Sequence, residues 1–153
     1  MALIFCKRTK EYLLAQHLWM SGSKDFPEEE LDFLFKAGVS RSYEEKIRSA
    51  GFGNFQRGVH ELPYSYKRME DGNIVTLGGR RWRVVIGRGH SPEHACLSCL
   101  DEPLFISGDQ VLPQITSNVS VYAREPLANP LAHWLSTIDR MHGVGGDPVV
   151  LPS

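Results

Sequence analysis

The chain has 153 residues, enough for one domain of ordinary size with its own hydrophobic core. Its 17 Lys and Arg against 18 Asp and Glu leave a net charge of −1, so nucleic acid is not indicated as a partner. No apolar run approaches the roughly 20 residues that span a bilayer, and the start of the chain does not have the pattern of a signal peptide. We therefore expect no membrane partner. The three cysteines, two of them close together, indicate reduced thiols and a cytoplasmic location.

The first third of the chain, residues 1–60, has mainly helical patterns. A short apolar strand is expected over Leu3–Cys6, followed by a helix that Thr9 caps and Gly22 ends. Pro27 is suited to the first turn of a second helix. A third, more polar helix is expected from Ser42 to Ala50.

Strand patterns dominate residues 70–110. Ile74–Leu77 and Arg81–Ile86 flank two glycines, which predicts a β-hairpin. A second hairpin is predicted from Ala95–Leu100 and Leu104–Ser107, joined by an acidic turn that contains proline. The two hairpins favour antiparallel neighbours over a parallel, doubly wound sheet.

The remaining chain is expected to form a loop, a helix and a last strand. Residues 111–125 have a loop composition, and residues 126–153 are predicted to form a helix plus a final strand. Apolar residues keep helical spacing from Leu127 to Met141, and Val149–Leu151 has the pattern of a buried strand. The fold class that follows is mixed α/β or α+β, built as one domain over residues 1–153.

Two loops next to the second hairpin carry the residues with the clearest chemistry. One contains Gly89 and His90, and the other contains Gly108 and Asp109. Adjacent strands lie about 5 Å apart, so both loops should emerge side by side at one edge of the sheet. An imidazole and a carboxylate placed together there can ligate a divalent metal. From spacing alone, a simpler interpretation is favoured over the metal site, namely that the two side chains pair with each other or with water.

The sequence of these loops is similar to that of a known family. Gly-His-Ser-Pro-Glu-His at 89–94, followed by Phe-Ile-Ser-Gly-Asp at 105–109, resembles the Gly-His-Thr-Pro-Gly-His and Phe-(Ser/Thr)-Gly-Asp signature of the metallo-β-lactamase-fold hydrolases. Weaker likeness extends to Ala2–Tyr12, Leu112–Thr116 and Val149–Ser153.

The resemblance implies a fold, a reaction class and roles for three residues. The fold is an αββα sandwich, here partial, with mainly antiparallel hairpins and flanking helices. The site holds one or two divalent metals, usually zinc. His90 would be a terminal ligand of one metal, and Asp109 would bridge the two. His94 matches a position that supports the ligands by hydrogen bonding. A hydroxide held by the metal would attack an ester, thioester, lactam or phosphodiester of a small-molecule substrate that the sequence does not identify.

The chain also departs from the family pattern. The family's first metal motif, His-x-His-x-Asp-His, occurs nowhere in the sequence, and no residue matches the family's last metal-binding His. A catalytic zinc normally needs three protein ligands, whereas only His90 and Asp109 match ligand positions. We expect a truncated or degenerate domain that binds metal weakly or not at all and hydrolyses little. Uncovered sheet edges would then favour self-association or domain swapping.

Three alternatives stay open from the sequence. The chain could be a non-catalytic scaffold or protein-interaction domain that keeps the fold. It could be a small zinc-stabilised module that uses His90, His94, Cys96 and Cys99. The loop after Asp109, with Asn118 and Tyr122 as hydrogen-bonding groups, could wall a substrate pocket or be a plain connection.

Overall fold

A computed structural model describes residues 2–4, 25–52, 66–144 and 146–153. The chain divides into two compact units. The sheet unit contains the described residues 2–4, 66–120, 128–144 and 146–153, and the helical unit contains 25–52 and 121–127.

The sheet unit contains both described sheets. Strands β1 (Ala2–Ile4) and β2 (Tyr66–Arg68) pair in parallel. The larger sheet has five strands in the order β3-β4-β5-β6-β7. Their bounds are β3 Ile74–Leu77, β4 Arg80–Gly87, β5 His94–Cys99, β6 Leu104–Ile106 and β7 Val149–Leu151.

Both hairpins that the sequence predicts are present. Strands β3 and β4 pair antiparallel around the turn at Gly78 and Gly79, which both have positive φ as such a tight turn requires. Strands β5 and β6 form the second antiparallel hairpin, and β4 pairs antiparallel with β5. Only the edge pair β6–β7 of this sheet is parallel.

Ion pairs join the turns of the two hairpins. The Arg80 guanidinium lies 2.6 Å from Glu102, and that of Arg81 lies 2.6 Å from Asp101. Asp101 also accepts a hydrogen bond from the Arg81 backbone N–H. Arg80 and Arg81 therefore form solvated ion pairs at the surface of the sheet.

The five-stranded sheet carries apolar side chains on both faces. One cluster contains Val85, Cys96, Phe105 and Met141, and the other contains Met69, Val84 and Ile86. Alternation along β4 explains the division, because successive side chains of a strand point to opposite faces. The first cluster includes a residue of helix α3, Pro130–Met141, so that helix covers one face of the sheet.

Helix α3 begins with a capped first turn. Asn129 caps it by accepting a hydrogen bond from the backbone N–H of Ala132, and proline occupies its first turn. The apolar spacing that begins at Leu127 therefore overshoots the helix start, and Leu127 is 97% exposed. Leu131 and Leu135 are also exposed, so the apolar stripe coincides only in part with the buried face.

The last strand is present where the sequence predicts it, but its burial differs. Val149, Val150 and Leu151 are 41–60% exposed. The reason is that β7 is an edge strand, and no described strand pairs with its outer side. An apolar run alone does not distinguish a buried strand from an exposed edge.

The described part of the helical unit begins with the predicted second helix, α1, Glu28–Lys36, whose N-cap is Pro27, one position before the first turn in which the sequence placed it. A 3₁₀ turn at Arg41–Tyr43 leads into α2, Glu44–Ala50. Arg48 bonds Glu28 and Glu44, which ties α2 to the start of α1. The helix predicted between Thr9 and Gly22 lies outside the described residues.

The architecture is a mixed α+β arrangement, the fold class that the sequence predicts. Among the described helices, none combines the length and the apolar character needed to cross a membrane.

Candidate metal centre

The structure brings His90 and Asp109 together at one edge of the sheet. Strand β4 ends at Gly87, and His90 lies in the turn before β5. Strand β6 ends at Ile106, and Asp109 lies in the 3₁₀ turn that follows. Nε2 of His90 is 3.4 Å from Oδ2 of Asp109. The two loops are therefore neighbours, as strand pairing predicts.

A backbone carbonyl fixes the tautomer of His90. Its Nδ1 lies 3.0 Å from the carbonyl oxygen of Asn118. That oxygen can only accept, so Nδ1 carries the proton and donates the bond. In the neutral imidazole the lone pair is then on Nε2, which faces the carboxylate of Asp109. Two acceptors face each other, and a proton or a cation between them is needed to make this contact favourable.

The other carboxylate oxygen of Asp109 is held by a hydroxyl. Ser153 Oγ donates to Oδ1 at 2.5 Å. This hydrogen bond, together with the nearby imidazoles of His90 and His94, lowers the pKa of Asp109 below its usual value. Asp109 is therefore a carboxylate at neutral pH, which is the form that ligates metals. Sequence reasoning did not identify Ser153 as part of this site, because a serine after a strand carries no distinguishing pattern.

His94 lies against both loops. Its ring is edge-on to that of His90, with centroids 5.5 Å apart. A Cβ on Gly108 would come within 2.6 Å of His94 Nε2, so glycine is required there for the close approach. Burial lowers the pKa of His94, with a smaller contribution from His90, and keeps the imidazole neutral at pH 7.

The separation of His90 and Asp109 fits two ligands of one zinc ion. A nitrogen and an oxygen at about 2.0–2.2 Å from a tetrahedral zinc are about 3.4 Å apart. The observed Nε2–Oδ2 distance is 3.4 Å. The hydrogen bond of Nδ1 to a carbonyl is the support that metal-binding histidines usually have. The pair therefore fits two coordination positions.

The described residues do not complete a site. Within residues 2–4, 25–52, 66–144 and 146–153, no three His, Cys, Asp or Glu side chains are grouped so that they could hold a metal. A catalytic zinc needs three protein ligands, so the pair is a partial donor set.

The same finding bears on the alternative of a small zinc module. Cys96 is fully buried in the sheet core, where its thiol donates to the Ser107 carbonyl at 3.3 Å. Burial raises its pKa to about 12, which disfavours the thiolate that zinc requires. Cys99 is three residues further along the same strand, which turns the two side chains to opposite faces. The structure gives no support to a zinc site built from these cysteines and the two histidines.

The residues of the expected substrate loop have different surroundings. Asn118 contacts His90 through its backbone carbonyl, while its side chain accepts hydrogen bonds from Ser120. The sequence left open whether Asn118 walls a substrate pocket or lies in a plain connection, and the structure uses its main chain to orient His90. Tyr122 belongs to the helical unit, where it is exposed and its carbonyl accepts from the Glu125 backbone N–H. Substrate contact by Asn118 and Tyr122 stays a prediction.

The solved structures that are similar to this chain include two metallo-β-lactamase-type proteins. A beta-lactamase domain protein from Burkholderia ambifaria is 39% identical over 79% of this chain and 38% of its own, with a TM-score of 0.59. A metallo-beta-lactamase family protein from Thermus thermophilus is 26% identical over 99% of this chain and 46% of its own, with a TM-score of 0.69. This chain spans less than half the length of either protein. No protein-family model matches the sequence.

Proposed function

Because this chain is related to the metallo-β-lactamase superfamily and carries part of that fold, we propose that it forms part of a metal-dependent hydrolase. In that centre His90 and Asp109 would be the chain's ligands for one or two divalent metals, probed most directly with zinc. The substrates proposed are those with an ester, thioester, lactam or phosphodiester bond.

One observation carries the proposal. The Nδ1 proton of His90 is committed to the Asn118 carbonyl, so in the neutral imidazole Nε2 presents a lone pair to the Asp109 carboxylate at a distance of 3.4 Å. Two adjacent acceptors with fixed orientation are suited to binding a cation.

The chemistry divides between the bound metal and the chain. A divalent metal in such a centre lowers the pKa of bound water to about 7 and stabilises developing negative charge. The chain's own residues hold and orient donors. Asn118 fixes the His90 tautomer, Ser153 holds one oxygen of Asp109, and His94 supports both loops. None of these residues is assigned a proton transfer.

The two-donor set also bears on the activity of the 153-residue chain by itself. We propose that it binds zinc weakly and turns over little substrate, since the described residues supply no third ligand. A non-catalytic scaffold or interaction domain is the second candidate, and the exposed apolar edge strand β7 favours it.

Metal titration with matched controls tests the proposed centre. Zn²⁺ and Co²⁺ uptake should be weak in the wild-type chain and lost in Asp109→Asn and His90→Gln. The controls Asp139→Asn and His133→Gln change the same residue types at exposed positions on α3 and should bind as the wild type does. Uptake that is equal in all five proteins would refute the centre.

A second experiment tests the inactivity proposed for this chain. A hydrolysis screen with added zinc should show little turnover by the wild-type chain. Turnover that Asp109→Ala abolishes would contradict the inactivity proposed for this chain and confirm the hydrolase. Metal analysis of Cys96→Ser addresses the zinc module, because the centre at His90 and Asp109 predicts no loss of bound metal in that variant.

A further inference from the structure

The loops that carry His90 and Asp109 both contact the first half of helix α3. Gly89 lies so close to the helix that a Cβ would be 2.5 Å from the Pro130 carbonyl oxygen and 2.5 Å from Trp134 Cβ. Its φ of +98° is a conformation that a side chain would strain. The residue before His90 is therefore seated directly on the helix backbone.

Two side-chain hydrogen bonds also connect these elements. The indole N–H of Trp134 donates to the backbone carbonyl of Gln110 at 3.1 Å. The side-chain amide of Gln110 donates to the backbone carbonyl of Arg88 at 2.9 Å. Residues 88 and 89 precede His90, and residue 110 follows Asp109. The two bonds thus link the segment before His90, the segment after Asp109 and helix α3.

We propose that Gln110 and Trp134 are positioning residues that set the separation of His90 and Asp109. This inference rests on the proposed function, since it concerns the same pair of ligands. Trp134 holds the Asp109 turn through its indole N–H and the His90 loop through its backbone. Gln110 joins the two loops to each other. Neither residue is one of the proposed metal ligands.

The burial of Gln110 indicates that its amide is present for its hydrogen bond and not only for packing. Its side chain is fully buried, and no group of the described residues donates a hydrogen bond to its Oε1. A Cβ on Gly87 would lie 2.5 Å from this same oxygen, so the amide is packed tightly against the end of β4. An apolar side chain of similar size would avoid a buried unpaired acceptor. However, an apolar side chain could not donate the hydrogen bond that Gln110 gives to the Arg88 carbonyl. We infer that this bond is the reason for an amide at this position.

Hydrogen exchange of the metal-free chain tests the positioning directly. The variants are Gln110→Met, which keeps the length of the side chain, and Trp134→Phe, which removes the indole donor. The control is Trp82→Phe, because the Trp82 indole also donates to a backbone carbonyl, that of Leu77, at 3.1 Å in the same unit. We expect the backbone amides of residues 88–91 and 108–111 to exchange about 5- to 10-fold faster in both test variants, as loss of one hydrogen bond implies. The control should leave these amides unchanged.

The hydrogen-exchange result tests the inference whether or not the chain binds a metal. Unchanged exchange in these two segments, or an equal increase in the Trp82→Phe control, would overturn it. Co²⁺ titration adds a second readout. Where the wild type binds Co²⁺ through Asp109, both test variants should bind about 10-fold more weakly, whereas equal affinity would overturn the inference. If the wild type and Asp109→Asn take up equally little Co²⁺, the proposed function fails, and the exchange result alone decides whether Gln110 and Trp134 hold the loops.

Discussion

Nε2 of His90 lies 3.4 Å from Oδ2 of Asp109, although the whole β5–β6 hairpin separates the two residues in the sequence. The hairpin is the cause of the contact, because one of its strands leaves the His90 loop and the other returns to the Asp109 turn. Around the pair, the backbone carbonyl of Asn118 and the hydroxyl of Ser153 occupy the remaining polar atoms of the two side chains. The arrangement leaves Nε2 and Oδ2 as the atoms that face each other.

Removal of the His94 ring should weaken metal binding while the fold is kept. His94 contacts His90 and Gly108, so His94→Ala loses support for both proposed ligands. We expect Co²⁺ affinity to fall about 10- to 100-fold, the usual cost of deleting a residue that orients metal ligands. The measurement is a Co²⁺ titration, with the exposed His133→Ala as the control. Equal affinity in wild type and His94→Ala would show that the ring has no supporting role.

The contact between His90 and Asp109 could be predicted from the sequence. Short local patterns predict the β-hairpins, and pairing of their strands brings together residues that are distant in the sequence. The glycines and alternating apolar residues of residues 70–110 predict both hairpins, and the hairpins bring His90 beside Asp109. The exposure of Val150 could not be predicted, since an apolar run looks the same in a central strand and at an edge.

The contacts around the pair were harder to predict. The bonds of Gln110 and Trp134 join side chains to backbone carbonyls that are distant in sequence. Sequence spacing contains no signal for such bonds. The role of Asn118 was missed for the same reason, because its backbone rather than its amide contacts His90.

The ion pair between Arg81 and Asp101 should give stability that depends on pH. The hydrogen bonds from the Arg81 guanidinium and backbone N–H lower the pKa of Asp101 below its ordinary value of 3.8. A lowered folded pKa contributes stability that is fully present above pH 3.8 and is lost as the pH falls through the lowered value. Asp101→Asn should therefore lower the urea midpoint slightly at pH 7, and the difference from wild type should shrink below pH 3.8.

Salt and a matched variant test the origin of this effect. The Arg81–Asp101 pair is exposed, so high salt should reduce the difference between wild type and Asp101→Asn at pH 7. Asp139→Asn, an exposed change on α3, serves as the control and should not show the same pH dependence. A difference that is the same at pH 3 and pH 7 would argue against an electrostatic origin.

The outer side of β7 should make the 153-residue chain associate. Val149, Val150 and Leu151 are exposed on a strand that no described strand covers on its outer side. Unpaired edge N–H and C=O groups beside apolar side chains favour pairing with another chain. Light scattering should show a mean mass that rises with protein concentration, and Val150→Lys should reduce that rise. The control Tyr43→Lys places the same charge at an exposed position of the helical unit. A monomer at every concentration would refute the prediction.

Cys96 should resist alkylation in the folded chain. The thiol is fully buried and donates to the Ser107 carbonyl, and burial raises its pKa to about 12. At pH 8 a thiol with this pKa is a thiolate in about one molecule in ten thousand, and the thiolate is the reactive form. Iodoacetamide at pH 8 should therefore label the partly exposed Cys99 well before Cys96, as mass spectrometry of the peptides would show. In urea the two cysteines should react at similar rates, because unfolding removes the burial that raises the pKa. Labelling of Cys96 as fast as Cys99 without urea would mean that the core around Val85 and Phe105 opens readily.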